Sequence, residues 1–551
     1  MKYKWLVYVL ILIIDGLRPA LGESSGTGHC SKCSRNFDEG YTAPDSTKAL
    51  LLKNTGNSAI PKKVVFSHST YEDFSGGTVS NSGQNLFVSG EGQIRFINWF
   101  DLNTDGYPEI VAVNDHDHYE TTDGFVYYNI PGRGFKSLMP PVPELTPGFQ
   151  ILKWMEESSG TIGRLPSVGG GRTLVADLNR DGYPEILFTN FVHGWSSNHF
   201  PVYLYWGGEK GYSNTRLSYL PTLTASGLAA ADLNSDGRMD IVVANAGREY
   251  IAQMNAGNNA GVFMGKNRTS GKIDPEEGTS YIYWQQPFGF SVDKRSEIPT
   301  KYALDGEIAD MNADGYPDVV FLQGGNPGSI RIFYGKIGGI DITKFIDLKA
   351  LAPVYSDISK KICIADLDHN GWPDIFVPSD GDSSEIFWNS PKGPDQIKTE
   401  RIPARNAVTA AARDLNHDGY NDLVVVNHIG DSFIYWGSGN GFSVKNLTSL
   451  PTNGATGVAI ADLDNNGFND IAFSNSLKGK SFDTPSYIYW GSTEGYHPAD
   501  RDDLWGFGAV DIAVGDFDRN GLHDLFLMNR QSGTSAPQFG PETYSSADMF
   551  I

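Results

Sequence analysis

One short pattern recurs eight times along the 551 residues, beginning at Asp101, Asp177, Asp232, Asp310, Asp366, Asp414, Asp462 and Asp516. Each copy reads Asp, an apolar residue, Asn or Asp, any residue, Asp or Asn, Gly, two further residues, then Asp or Glu. Successive copies start 48 to 78 residues apart. A self-similar period of this size means one supersecondary unit repeated, which constrains the fold more than length does. Composition adds only that a core is available, with 40% hydrophobic and 20% charged residues.

The residue types give the pattern a chemistry. Oxygen donors at positions 1, 3 and 5 converge when the chain turns tightly, and Gly at position 6 allows the turn. A carbonyl at position 7 and a carboxylate at position 9 complete a shell suited to Ca²⁺. The first copy offers Asp101, Asn103, Asp105 and Glu109 with the Tyr107 carbonyl, and the second Asp177, Asn179, Asp181 and Glu185 with Tyr183. The third has Asp232, Asn234, Asp236 and Asp240 with Arg238, and the fourth Asp310, Asn312, Asp314 and Asp318 with Tyr316. The fifth has Asp366, Asp368, Asn370 and Asp374 with Trp372, and the sixth Asp414, Asn416, Asp418 and Asp422 with Tyr420. The seventh has Asp462, Asp464, Asn466 and Asp470 with Phe468, and the eighth Asp516, Asp518, Asn520 and Asp524 with Leu522. Position 12 is apolar in every copy, from Ala112 to Leu527, so these are not EF-hands, which need Glu there.

Three carboxylates in each of eight copies make 24, beside a formal net charge of −22. Like charges at such short range repel strongly unless a cation sits among them. About one structural Ca²⁺ per repeat is therefore expected. The acidic balance also speaks against nucleic acid, whose phosphates need a basic surface.

Short apolar runs flank each copy, such as Thr173–Ala176 before and Ile186–Thr189 after. A third run carries aromatics, as in Tyr203-Leu-Tyr-Trp-Gly and Tyr487-Ile-Tyr-Trp-Gly, and a fourth is more polar. Four antiparallel strands per repeat make a propeller blade, so the fold class is all-β: an eight-bladed β-propeller, or a seven-bladed one if a repeat is incorporated differently. The aromatics are read as packing between blades. The last repeat ends in its third strand at Asp548–Ile551, and Lys63–Phe66 is expected to supply the missing outer strand.

Asp-Leu-Asn-x-Asp-Gly-x-x-Asp between strands, with Tyr-Trp-Gly downstream, resembles the FG-GAP/VCBS repeat. The resemblance covers residues 61–551. It implies a calcium-bearing propeller of the kind found in integrin α-chain heads, some lectins and some polysaccharide lyases. It says little about the ligand. The Phe-Gly-Ala element survives only as a partial echo at Phe507-Gly508-Ala509. No stalk domain or membrane helix follows the repeats, which disfavours an integrin chain.

Residues 1–22 read as a secretory signal: Lys2 and Lys4, an apolar run from Leu6 to Ile14, then Ala20 and Gly22. The mature protein is expected to be extracellular, without stable membrane insertion. Residues 23–60 form a poorly structured segment in which Cys30 and Cys33 suit a local disulfide. Cys363, between Ile362 and Ile364, reads as a buried free thiol. Asn267 and Asn446 head glycosylation triplets.

A ligand is expected on the face opposite the acidic turns. The residues opening those loops are Asn114, Asn190, Asn245, Gln323, Ser379, Asn427, Asn475 and Asn529. They either ring the channel mouth or simply suit the turn. A glycan or an extracellular protein fits such a surface, without catalysis. The alternative is a lyase acting on uronic-acid polysaccharide, with base and carboxylate-neutralising groups drawn from His116, His118, His193, His199, Arg248 and Tyr250. No Gly-x-Ser-x-Gly or other nucleophile motif is present.

Overall fold

The computed structural model describes residues 84–89, 93–115, 121–130, 134–136, 164–168, 170–190, 200–247, 278–350, 352–354, 360–391, 398–479, 481–504, 506, 508–517, 519–529 and 545–550. Their strands pair into eight antiparallel sheets, numbered here by the acidic loop that each contains. The sixth sheet shows the plan. Its inner strand Ala407–Arg413 pairs with Asp422–Asn427, then Ser432–Tyr435, then Leu447–Leu450. The second strand is buried along its whole length, which is why it reads as the unbroken apolar run Leu-Val-Val-Val. The fourth strand, Leu-Thr-Ser-Leu, is mostly accessible and more polar. The first sheet departs from the plan through a fifth strand, Arg164–Val168, paired with Thr121–Ile130.

Successive sheets pack face to face, and the core lies between them. One apolar cluster joins Leu187 and Leu204 of the second sheet to Ile241 and Tyr283 of the third. Another joins Phe376 and Ile386 of the fifth to Val425 and Tyr435 of the sixth. The inner strand Gln93–Phe100 of the first sheet lies beside Ala509–Gly515 of the eighth, which brings the two ends of the series together. This is a β-propeller.

The last sheet takes its outer strand from Gln84–Ser89, which pairs with Ser545–Phe550. That corrects the expectation for Lys63–Phe66, which lies outside the described residues. An N-terminal strand completes the last sheet as expected, but the strand used is nearer the first repeat. One further call changes. Cys363 is buried but disulfide-bonded, not a free thiol. Its apolar neighbours alone had suggested a thiol. Cys30 and Cys33 lie outside the described residues.

The aromatic third strand binds each sheet to its neighbours. Tyr435 is fully buried, and its hydroxyl donates to the Pro403 carbonyl of the fifth sheet at 2.6 Å. Tyr205 makes the equivalent bond to Pro166 at 2.6 Å, and Tyr283 and Tyr489 make theirs to Pro221 and Pro451. Each adjacent Trp reaches the other way. Trp206 stacks on Phe290, Trp388 packs on Phe442 and Trp436 on Tyr496, each ring belonging to the next sheet. These contacts agree with the packing role expected for the aromatics.

Candidate metal centres and ligand face

The acidic loops join the inner strand to the second strand, and position 9 is the first residue of that second strand. In the sixth loop Asp414 accepts from the Gly419 N–H at 2.9 Å and the Asp418 N–H at 3.1 Å. Asn416 Oδ1 accepts from the Asp418 N–H at 3.0 Å, and Asp418 Oδ1 from the Tyr420 N–H at 2.9 Å. These short-range bonds wind the chain round the donors. The same set recurs in the second loop, where Gly182 and Asp181 donate to Asp177 at 3.0 and 3.1 Å.

Backbone conformation repeats as closely. Position 6 has a positive φ throughout, +89° at Gly419 and at Gly182. A Cβ at either would meet nothing within 4 Å, so the turn needs glycine for its φ and not for space. Position 4 is also left-handed in all eight loops, from 53° at Ala313 to 64° at Arg519. Sequence reading missed this, because position 4 varies among Thr, Arg, Ser, Ala, His and Asn.

Position 9 anchors the loop to the sheet. Asp422 accepts from the Leu415 N–H at 2.8 Å and from the Gly437 N–H at 2.7 Å. Asp318 and Asp470 do the same with Met311 and Gly335, and with Leu463 and Gly491. Glu109 and Glu185 accept from Leu102 and Leu178 at 2.6 and 2.7 Å, and their second oxygen faces the position-3 Asn.

Burial pushes these carboxyls up, opposed by the main-chain donors. Asp240, Asp318, Asp422 and Asp470 rise to about 7, Asp374 and Glu185 to about 8, and Glu109 to about 9. The other two carboxylates of each loop add to the rise: positions 1 and 5 in most loops, positions 1 and 3 at Asp374 and Asp470. The donors fit a hard cation: Asp366, Asp368 and Asp374 bring oxygens within 4.8 Å of one another, as do Asp462, Asp464 and Asp470. Of the eight sets, only Asp518 lies outside the described residues.

On the opposite face the structure separates the two readings. Asn245, Asn427 and Asn475 are fully buried. Asn427 Oδ1 accepts from the Arg405 N–H at 2.9 Å, and its Nδ2 donates to the Asp431 carbonyl at 2.8 Å. Asn245 spans Leu223 and Thr279 in the same way, and Asn475 spans Asn453 and Pro485. Gln323 bonds Lys301 and Ser329, and Ser379 bonds Ser383. Of the two readings, these residues take the turn role: they stitch neighbouring loops and do not present a polar ring. His116, His118, His193, His199, Arg248 and Tyr250 lie outside the described residues.

Sequence reading also missed a buried charged group drawn from the inner strands. Arg172 of the second sheet sits 3.6 Å from Asp305 of the fourth and donates to the Lys360 carbonyl before the fifth sheet's inner strand. Lys360 pairs with Asp380 at 3.1 Å. Burial pulls the neighbouring Lys361 ammonium down to about 8. No local pattern marks these residues, since four separate segments supply them.

Repeated four-stranded sheets with an acidic loop at one end of each define the class: a β-propeller of loop-bearing repeats. Three segments, residues 177–243, 310–377 and 414–473, match the FG-GAP-like repeat. Integrin alpha-6 of Homo sapiens is 30% identical over 168 residues, covering 30% of this chain and 13% of that protein. Integrin alpha-6 of Gallus gallus is 29% identical over 175 residues, covering 30% and 14%. The matched stretch is thus a small part of those relatives. The chain thus carries FG-GAP-like repeats. Among solved structures, the Dos1 propeller is 8% identical with a TM-score of 0.44, covering 84% of this chain and 94% of that one. A rhamnogalacturonan lyase of Bacillus licheniformis is 11% identical with a TM-score of 0.40, covering 88% and 75%.

Proposed function

We propose that this protein is a secreted, eight-bladed propeller, stiffened by about one Ca²⁺ per blade, that binds an extracellular protein or a glycan without catalysing a reaction. The observation that carries the reading is the eightfold repetition of one loop: three carboxylates, two left-handed backbone positions and a buried position-9 acid. Acidic turns without metal have no need of such uniformity. Calcium supplies the positive charge that lets the buried acids ionise at close range. The side chains at positions 1, 3, 5 and 9 and the position-7 carbonyl would hold it. Mg²⁺ suits the loops less, because it sheds water reluctantly and demands a small octahedral cage.

Because the loops recur in every repeat, the metal is structural and any ligand site is separate. The integrin relatives favour a protein ligand over a glycan. No helix among the described residues is long and apolar enough to cross a membrane. The Asn446 side chain is exposed in a turn, so its triplet is accessible to glycosylation. The deciding experiment counts bound calcium on purified protein and compares thermal unfolding with calcium and with chelator. Several ions per chain and a higher midpoint in calcium are expected; no metal and no shift would overturn the reading. Extracellular-protein and glycan arrays then identify the ligand, and absence of binding by folded, calcium-loaded protein would count against the ligand part alone.

A further inference from the structure

Four third strands end in glycine, as Trp-Gly at Gly207, Gly437 and Gly491 and as Tyr-Gly at Gly335, while the third sheet ends in Trp284-Gln285. Gly335, Gly437 and Gly491 each use only the main-chain N–H, which donates to the position-9 acid of their own loop. Two sheets carry Asn instead, in Tyr127-Tyr-Asn129 and Phe387-Trp-Asn389. Both asparagines are buried, and both use their side chains to reach the preceding loop in the ring.

Asn389 keeps the N–H bond to Asp374 of the fifth loop, at 2.7 Å. Its Nδ2 donates to the Met311 carbonyl of the fourth loop at 2.7 Å. The Met311 N–H in turn donates to Asp318, the position-9 acid of the fourth loop, at 2.7 Å. The position-9 acids of two loops are thus joined by three hydrogen bonds through two residues. Asn129 repeats the arrangement. Its N–H bonds Glu109 of the first loop, its Nδ2 donates to the Phe517 carbonyl of the eighth at 2.6 Å, and the Phe517 N–H donates to Asp524 at 2.8 Å.

We infer that Asn389 and Asn129 are positioning residues that couple calcium binding between neighbouring loops, fourth with fifth and eighth with first. This rests on the calcium reading above. A cation held by Asp318 orients that carboxylate, which fixes the Met311 main chain, which fixes Asn389, which presents its N–H to Asp374. Filling one loop therefore lowers the ordering cost of filling the other, and the effect is reciprocal. Pairs whose third strand ends in glycine lack this relay.

The fifth loop can be read alone. Among the eight copies only the fifth has tryptophan at position 7, so terbium bound there is sensitised by Trp372. The part of the luminescence lost in Trp372→Phe is the fifth loop's signal. The fourth loop is then disabled by Asp314→Asn, and terbium is titrated with calcium as competitor. With Asn389 present, half-saturation of the fifth loop should rise about fivefold or more. With Asn389→Gly, the residue other sheets use, disabling the fourth loop should leave the fifth unchanged. Asn389→Ala, which keeps the Cβ, should behave the same way and guards against a misfolded glycine variant. A merely structural Asn389 would alter fifth-loop affinity by itself but not its response to the fourth. Equal responses with and without the Asn389 side chain, or none in either, would overturn the coupling alone. Absence of both terbium and calcium binding in the unaltered protein would overturn the calcium reading and the coupling together.

Discussion

The Gly437 N–H donates to Asp422 Oδ1 at 2.7 Å, tying the end of an aromatic third strand to the last donor of the sixth acidic loop. A Cβ at Gly437 would lie 2.3 Å from the Asn421 carbonyl oxygen, so in the sixth sheet any side chain here would force the backbone to shift. The two sequence signatures of the repeat, the acidic loop and Tyr-Trp-Gly, are therefore one structural unit.

Gly437→Ala should force the two strands apart and destabilise the protein by about 1–3 kcal/mol. Gly419→Ala meets open space but must hold φ near +89°, and should cost about 1 kcal/mol or somewhat more. Thermal unfolding of both checks the contrast. Equal, negligible effects would mean that the turn relaxes freely.

The calcium-free protein should lose stability as pH rises from about 4 to about 8. The position-9 carboxyls start from 3.8 or 4.5, and in the folded chain they rise to about 7 at Asp422 and about 8 at Asp374. Between those values the folded state holds more protons than the unfolded state, so raising pH favours unfolding. Calcium selects the ionised form, so the rise in midpoint that it produces should be larger at pH 8 than at pH 5. Unfolding scans at both pH values, with and without chelator, test the sign.

Asp422→Asn separates charge from shape. It should cost the calcium-free protein about 1–3 kcal/mol, because the amide NH₂ cannot accept from one of the two main-chain N–H groups that Asp422 satisfies. It should also reduce the number of calcium ions bound per chain. An unchanged count would contradict the role given to position 9.

Tyr435→Phe removes the hydroxyl bonded to Pro403 and leaves that carbonyl without this donor. A loss of about 1 kcal/mol is expected, independent of calcium. Calcium-dependent loss would place the tyrosine in the loop's energetics instead.

A chain beginning after Ser89 lacks the outer strand of the last sheet, whereas one beginning at residue 80 keeps it. The shorter chain should melt lower and aggregate through the exposed edge of Ser545–Phe550. Identical melting of the two would remove Gln84–Ser89 from the closure.

Much of this was legible in the sequence. Period, turn chemistry and strand type are local properties, and they gave the repeat, the donor sets at positions 1, 3, 5 and 9, and the packing aromatics. Misreadings fell where a residue's role depends on a distant partner. For Asn427 and Asn475 two readings stayed open, because nothing nearby reveals the loops that they stitch. Nothing nearby in the sequence marks Asn389, whose target, Met311, is 78 residues away.

The chain by itself thus determined an all-β propeller of acidic-loop repeats, because tight turns and buried strands are set by residues within a few positions of one another. Only the tertiary structure decided which strand completes the last sheet, that Cys363 is bridged, and which loops touch. Ring packing brings together segments far apart in sequence, and their meeting depends on the shapes of whole sheets and not on any short pattern.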